Sequence, residues 1–257
     1  MRITAASEPG NPDVPNEDWY GVTSSVIVVL DGVTSRGSVT GSCTHGTPWY
    51  VRQLGSRILS AAERMDGFTL TDALCWAICG VADLHPECDL AAIDAPSAAV
   101  GVLRLRGDRA EYLALADVTI LIDGPLHLDV ITDSRVSASV ASVPAGAMDV
   151  GDQIAARRRA DRNREGGYWV AAADPDAAAH AVTGSVPLAG IKSAVVMTDG
   201  AAEGSELFGW PWQRTLALEP GDLIASVRAM EASDPDCLRW PRFKMSDDAT
   251  VVRWDGQ

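Results

Sequence analysis

The strongest hydrophobic signal in the chain is Val26-Ile27-Val28-Val29-Leu30, an unbroken apolar run that ends on Asp31-Gly32. A continuous β-branched run predicts a strand buried on both faces, because a strand with one wet face alternates instead. It stops at a carboxylate, whose burial is costly without a cation or several donors, and at a glycine that lets the chain turn sharply. The pattern returns at Ala194-Val195-Val196-Met197-Thr198-Asp199-Gly200. Two acidic pairs enter strands from the other direction, Glu17-Asp18 before Trp19-Tyr20-Gly21-Val22 and Asp247-Asp248 before Ala249-Thr250-Val251-Val252. In an antiparallel hairpin the start of one strand lies beside the end of the next, which predicts Glu17, Asp18 and Asp31 at one end of a sheet.

Between these signals, Met1 to Ser7 has strand content and Glu8 to Pro15 is a loop rich in proline and glycine. Thr47-Pro48 starts a helix, with Tyr50, Val51, Leu54, Ile58 and Leu59 at helical spacing through about Arg64. A second helix is predicted from a cap at Thr71-Asp72, carrying Leu74, Cys75, Ile78, Val81 and Ala82. Strands follow at 97–105, 110–115, 118–122 and 126–130, with turns at Gly107-Asp108 and Asp123-Gly124, and read as one antiparallel meander interrupted by Asp117. Two helices in succession between strands predict an α+β layered fold rather than a doubly wound parallel sheet.

With 257 residues and no linker-like break, one domain over 1–257 is expected. The character changes at about 134–186, where Arg157-Arg158-Arg159-Ala160-Asp161-Arg162-Asn163-Arg164 is a basic run in an acidic chain. Its first reading is a solvated helix face, with phosphate binding as the alternative. A net charge of -14 and a pI near 4.6 argue against nucleic acid or an anionic membrane as partners. No apolar segment reaches the roughly 18 residues of a membrane span and no leader pattern opens the chain, so a cytoplasmic location is expected. The cysteines Cys43, Cys75, Cys79, Cys88 and Cys237 contain no C-x-x-C pair, and His45, His85, His127 and His180 show no ligand-like spacing. Neither a disulfide framework nor a zinc site is predicted from them. The candidate chemistry rests on carboxylates, hard oxygen donors that suit magnesium and manganese.

The ordered set Asn16-Glu17-Asp18, Val28-Val29-Leu30-Asp31-Gly32, Pro96-Ser97-Ala98-Ala99, Ala116-Asp117, Met197-Thr198-Asp199-Gly200 and Asp247-Asp248-Ala249-Thr250 resembles the protein phosphatase 2C family. These are the metal-dependent protein serine/threonine phosphatases, and the chain looks like a divergent bacterial-type member. The resemblance implies a four-layer α/β-β/α sandwich of two antiparallel sheets flanked by helices, with a flap-type insert at about 134–186. It also implies a centre of two Mn²⁺ or Mg²⁺ ions, with a third in some members. Asp31 corresponds to the bridging carboxylate and Gly32 to the residue offering its carbonyl. Asp199 and Asp247 correspond to terminal ligands, Glu17 and Asp18 to the pair holding the other ion directly or through water, and Asp117 to the aspartate of the third.

The implied reaction is hydrolysis of phosphoserine and phosphothreonine in a protein substrate, with a hydroxide that bridges the metals attacking phosphorus in line. Asp31, Asp199 and Asp247 are the candidate catalytic residues. A catalytically weak binding or regulatory module and a phosphatase of a small phosphorylated metabolite are the alternatives. Two positions depart from the pattern. Asp13 stands where typical members carry an arginine that binds substrate phosphate, and Val33-Thr34-Ser35 replaces a glycine-rich turn. Arg36 and His45 are the nearest candidates for substrate binding.

Overall fold

The computed structural model describes residues 2–33, 42–64, 67–90, 92, 94–140, 150–242 and 244–256. In chain order its elements are β1 (Arg2–Glu8), β2 (Trp19–Val22), β3 (Val26–Val33), α1 (Thr47–Arg64), α2 (Leu70–Ala82), β4 (Ser97–Arg106), β5 (Arg109–Leu115), β6 (Thr119–Asp123) and β7 (Leu128–Ile131). Then come α3 (Arg135–Val140), α4 (Val150–Asp161), a 3-10 turn at Pro175–His180, β8 (Val182–Pro187), β9 (Ser193–Met197), α5 (Asp199–Glu206), α6 (Trp212–Ala217), α7 (Pro220–Ala232) and β10 (Ala249–Asp255). The strands form two antiparallel five-stranded sheets, in the orders β1-β10-β9-β6-β7 and β2-β3-β4-β5-β8.

Strand β3 shows why the layers stack as they do. Val26, Val28 and Leu30 point into a core shared with α1 and α2, while Ile27 and Val29 point the other way, into the core between the sheets. Successive side chains alternate faces, so burial on both sides requires the unbroken apolar run that the sequence carries. On the far side, α5 and α7 cover β9 and β10 through Ala201, Ala202, Leu223, Ile224 and Val227. The result is the expected α/β-β/α sandwich. The sheets approach closely at Gly101 of β4, where a Cβ would collide with methyl groups of Val118 and Val196. Helix α1 approaches β2 by a similar device, since the Trp19 ring occupies the space a side chain at residue 55 would need.

Two local readings change. The cap of α2 is Thr69, whose hydroxyl accepts from the Asp72 amide at 3.0 Å while the Asp72 carboxylate accepts from the Thr69 amide at 2.9 Å. This reciprocal box needs a spacing of three residues, which Thr69 and Asp72 have and the adjacent pair Thr71-Asp72 lacks. The strands from 97 to 131 are not one meander either. Strand β5 pairs with β4 and β8, whereas β6 pairs with β7 and β9 in the other sheet. The chain crosses between sheets at Ala116, whose φ is 63°, and at Asp117. Because each run places buried apolar residues on both of its faces, their pattern carries no information about which sheet each joins.

The segment from 134 to 186 holds α3, α4, the 3-10 turn and most of β8, an edge strand paired with β5. Among the described residues, no helix is long and apolar enough to cross a membrane.

Candidate active site

The acidic motifs meet because strand ends of both sheets converge at one end of the sandwich. The register of β2 on β3 sets Trp19 opposite Leu30, which brings Asp18 beside Asp31. In the other sheet, β9 runs antiparallel to β10 with Met197 opposite Val251, so Thr198-Asp199 leaves the sheet where Asp248 enters it. A buried hydroxyl joins the two sheets. Thr198 Oγ1 donates to Asp18 Oδ2 at 2.9 Å and accepts from the Thr250 amide at 2.9 Å, and Thr250 Oγ1 in turn lies 2.8 Å from Ser7 Oγ. Asp248 has a different task. Its two carboxylate oxygens accept the amides of Gly10 at 2.8 Å and Glu17 at 2.7 Å, which fixes the loop carrying the first acidic pair.

Between these ends lies a cavity of about 340 Å³ lined by Glu17, Asp31, Gly32, Asp117, Asp199, Glu203 and Asp247 on its acidic side. A Cβ at Gly32 would overlap the Glu17 carbonyl and sit 2.6 Å from the Thr47 methyl, so only glycine fits there. Gly200 is held against the Asp248 carbonyl in the same way. The left-handed backbone at Ala116 turns the chain from β5 toward β6 and delivers Asp117 to the cavity. Arg228, paired with Glu231 at 3.0 Å, donates to the Asp247 carbonyl at 2.5 Å and anchors that loop.

So many buried carboxylates disturb one another. Burial, followed by the repulsion of Asp199, Asp18, Asp117 and Asp247, pushes Asp31 well above the usual carboxylate range. Asp199 is pushed well up by burial and by Asp117 and Asp247, and Asp117 is raised by burial with Arg158 acting against it. Burial carries Asp18 up to about 7 in spite of its bonds from Thr250 and Thr198, and Glu203 up to about 8. Lys244 answers in the opposite sense: burial would lower it, but its ion pair with Asp247 raises it. One oxygen of Asp18 and one of Glu203 are buried without a hydrogen-bond partner. Oxygen donors only, mutual repulsion and orphaned carboxylate atoms are the conditions that hard divalent cations relieve.

The cavity is also lined by the cations Arg158, Arg159, Arg162, Arg242 and Lys244, the last paired with Asp247. The basic run is therefore not simply a solvated face. Arg158 and Arg159 lie in the last turn of α4 and Arg162 just past its end, so no helical spacing in the sequence signalled their shared direction. Arg242 is engaged by Asp234 at 3.0 Å and by nearby carbonyls.

Of the residues singled out in the sequence, Glu17, Asp31, Gly32, Asp117, Asp199 and Asp247 line the cavity, and Asp18 lies behind its wall, 9 % exposed. His45 is not brought there. It sits with Cys43, His85 and Cys88, between the start of α1 and the end of α2. Arg36 lies outside the described residues. Asp13 is exposed and its amide donates to Asn11 at 3.0 Å.

No family model and no curated protein matches the sequence. Solved structures do match over nearly the whole length. The catalytic domain of the serine/threonine phosphatase PstP in complex with two manganese ions has a TM-score of 0.57 at 15% identity, covering 99% of this chain and 97% of that one. The PPM Ser-Thr phosphatase MsPP from Mycobacterium smegmatis, in complex with cacodylate, has a TM-score of 0.57 at 14% identity, covering 100% and 99%. Stp1 from Staphylococcus aureus has a TM-score of 0.61 at 10% identity, covering 100% and 95%. Two packed five-stranded sheets with helices outside, matched from end to end by these enzymes, give this chain the fold of the bacterial PPM serine/threonine phosphatases.

Proposed function

We propose that the chain is a metal-dependent phosphomonoester hydrolase acting on phosphoserine and phosphothreonine in proteins. The observation that carries this reading is a single cavity lined both by Asp31, Asp117, Asp199 and Asp247 and by Arg158, Arg159 and Arg162. Asp31, the Gly32 carbonyl, Asp199, Asp247 and Glu17 would hold two Mn²⁺ or Mg²⁺ ions, with Asp18 acting on one of them through water and Asp117 serving a third. Such ions, when bound, lower the pKa of a shared water and stabilise charge on the phosphoryl oxygens.

The arginines supply what Asp13 cannot. A guanidinium fork matches phosphate oxygens with paired donors, and Arg158 and Arg159 project from α4 to the cavity that the acids line. In this reading the insert at about 134–186 is the flap, and Val136, Arg158, Arg159, Arg162, Tyr168 and Val170 from it line the cavity. Phosphate recognition thereby moves from the loop before β2 to α4. The similarity to phosphatases solved with manganese and with cacodylate supports the reading.

Release of phosphate from a phosphothreonine peptide and from p-nitrophenyl phosphate, with and without manganese, tests it. Manganese-dependent turnover of both is expected, with Arg158→Ala raising the KM for the peptide roughly ten- to hundred-fold through loss of a charged hydrogen bond. Absence of turnover with either metal, or an unchanged KM in Arg158→Ala and Arg159→Ala alike, contradicts it.

A further inference from the structure

Away from the carboxylate cavity, four soft ligands converge. Cys43 and His45 lie just before α1, and His85 and Cys88 just after α2. Their ligand atoms all fall within 4.8 Å of one another. His45 Nδ1 lies 3.6 Å from the sulfurs of both Cys43 and Cys88, and His85 Nδ1 lies 3.4 Å from the Cys43 sulfur. We propose that these four residues form a structural zinc site that clamps the start of α1 to the end of α2.

The distances carry the metal assignment. With Zn–S bonds of about 2.3 Å and Zn–N bonds of about 2.0–2.1 Å at tetrahedral angles, a sulfur–nitrogen edge is about 3.5–3.6 Å long. Three of the four sulfur–nitrogen separations are close to that edge, and all four ligand atoms lie within 4.8 Å of one another, within reach of a single ion. Two thiolates with two imidazoles favour zinc over magnesium or manganese, which prefer oxygen, so the site is chemically separate from the acidic cavity. Four protein ligands leave no open position, which is the mark of a structural rather than a catalytic site. On binding, each cysteine thiol gives up its proton to solvent and the imidazoles bind as neutral rings.

The surroundings are built to hold such a group. Cys43 and His85 are buried, at 8 % and 2 % exposure, although nothing apolar about an imidazole favours that position. His85 Nε2 has no hydrogen-bond partner, so the polar contact of that ring is made on its Nδ1 side, toward the sulfur. Trp49 shields the cluster, stacked on His45 at 4.3 Å between ring centroids and edge-on to His85 at 4.7 Å. The two halves are also tied through the backbone, since the Asp89 amide donates to the Ser42 carbonyl at 3.1 Å. The spacings are Cys-x-His and His-x-x-Cys, separated by the whole α1–α2 hairpin.

Full-length protein purified under reducing conditions without chelator is assayed for metal by plasma mass spectrometry, then stripped and reconstituted with cobalt. One zinc per chain is expected, retained in Asp199→Asn and lost in Cys43→Ser and Cys88→Ser. Cobalt in the wild-type chain should give a sulfur-to-metal charge-transfer band and the intense visible bands of a tetrahedral thiolate site. That spectrum decides the matter even where a cysteine variant fails to fold. Zinc-free protein that takes up no cobalt, an octahedral cobalt spectrum, a disulfide between Cys43 and Cys88, or zinc that disappears with Asp199 would overturn the proposal.

Discussion

Asp31 and Asp199 sit where an isolated carboxylate is least stable, and that location yields predictions of opposite sign. If both are ligands, Asp199→Asn should lower manganese-dependent turnover by more than about 100-fold, since even residues behind a ligand cost 10–100-fold. In chelator-treated protein the same change should raise the Tm, because it removes one of several repelling buried carboxylates. A variant that loses activity and stability together in the metal-free state would mean that Asp199 is structural. The pH dependence of the stripped protein follows from Asp18 and Glu203. Their folded pKa values, about 7 and about 8, lie above the ordinary 3.8 and 4.5, so the native state binds more protons than the unfolded chain in between. Stability of the chelated protein should therefore fall as pH rises from about 4 to about 8, and manganese should oppose that fall. Thermal melts at stepped pH, with EDTA or with manganese, measure this directly.

At the residue scale the acids were legible and their partners were not. Each acid of the cavity wall except Glu203 ends or precedes an apolar run and so announces itself in the chain. Thr198, which couples Asp18 to Thr250 across the sheets, has no local pattern that could reveal it. The same holds for Cys43, His45, His85 and Cys88. Their spacing becomes a ligand spacing only after two helices fold back on each other.

Among the elements, β3 was readable from Val26 to Leu30 because burial on both faces leaves a run that few other structures explain, but the strand does not stop or turn at Asp31-Gly32 and stays paired with β4 through Val33. Leu30→Ala should cost about 2–5 kcal/mol, since the side chain is fully buried against the helical layer. Gly101→Ala tests the contact between sheets. A Cβ there meets methyl groups of Val196 on β9 and of Val118 just before β6, and the expected loss is about 1–3 kcal/mol of overpacking strain, read by urea unfolding. Thr69→Ala should cost about 1 kcal/mol by removing the cap of α2, whereas Thr71→Ala should cost a few tenths at most. The sheet assignment of β5 and β6 was hidden for the reason that made them easy to find. Residues buried on both sides declare a strand and conceal its neighbour, and only the left-handed kink at Ala116 separates the two.

For the whole molecule, the excess of acids becomes intelligible as a division of labour. The net charge of -14 includes a group of carboxylates gathered at one end of the sandwich, while the basic run of α4 is turned onto the same cavity. The ordered motifs, through the family resemblance they carry, anticipated the sandwich, and the convergence of its acids follows from strand ends fixed by register. The cationic wall was not legible, since a helix of this composition shows no apolar stripe to orient it. With Asp13 exposed in the loop that precedes β2, the proposed function gives phosphate recognition to α4, and it stands or falls with what the acidic wall holds. The most direct measurement is anomalous diffraction from crystals soaked in manganese. The account predicts two strong peaks between Asp31, Asp199, Asp247 and the Glu17-Asp18 pair; no peak there, or manganese bound only elsewhere on the acidic surface, would contradict it.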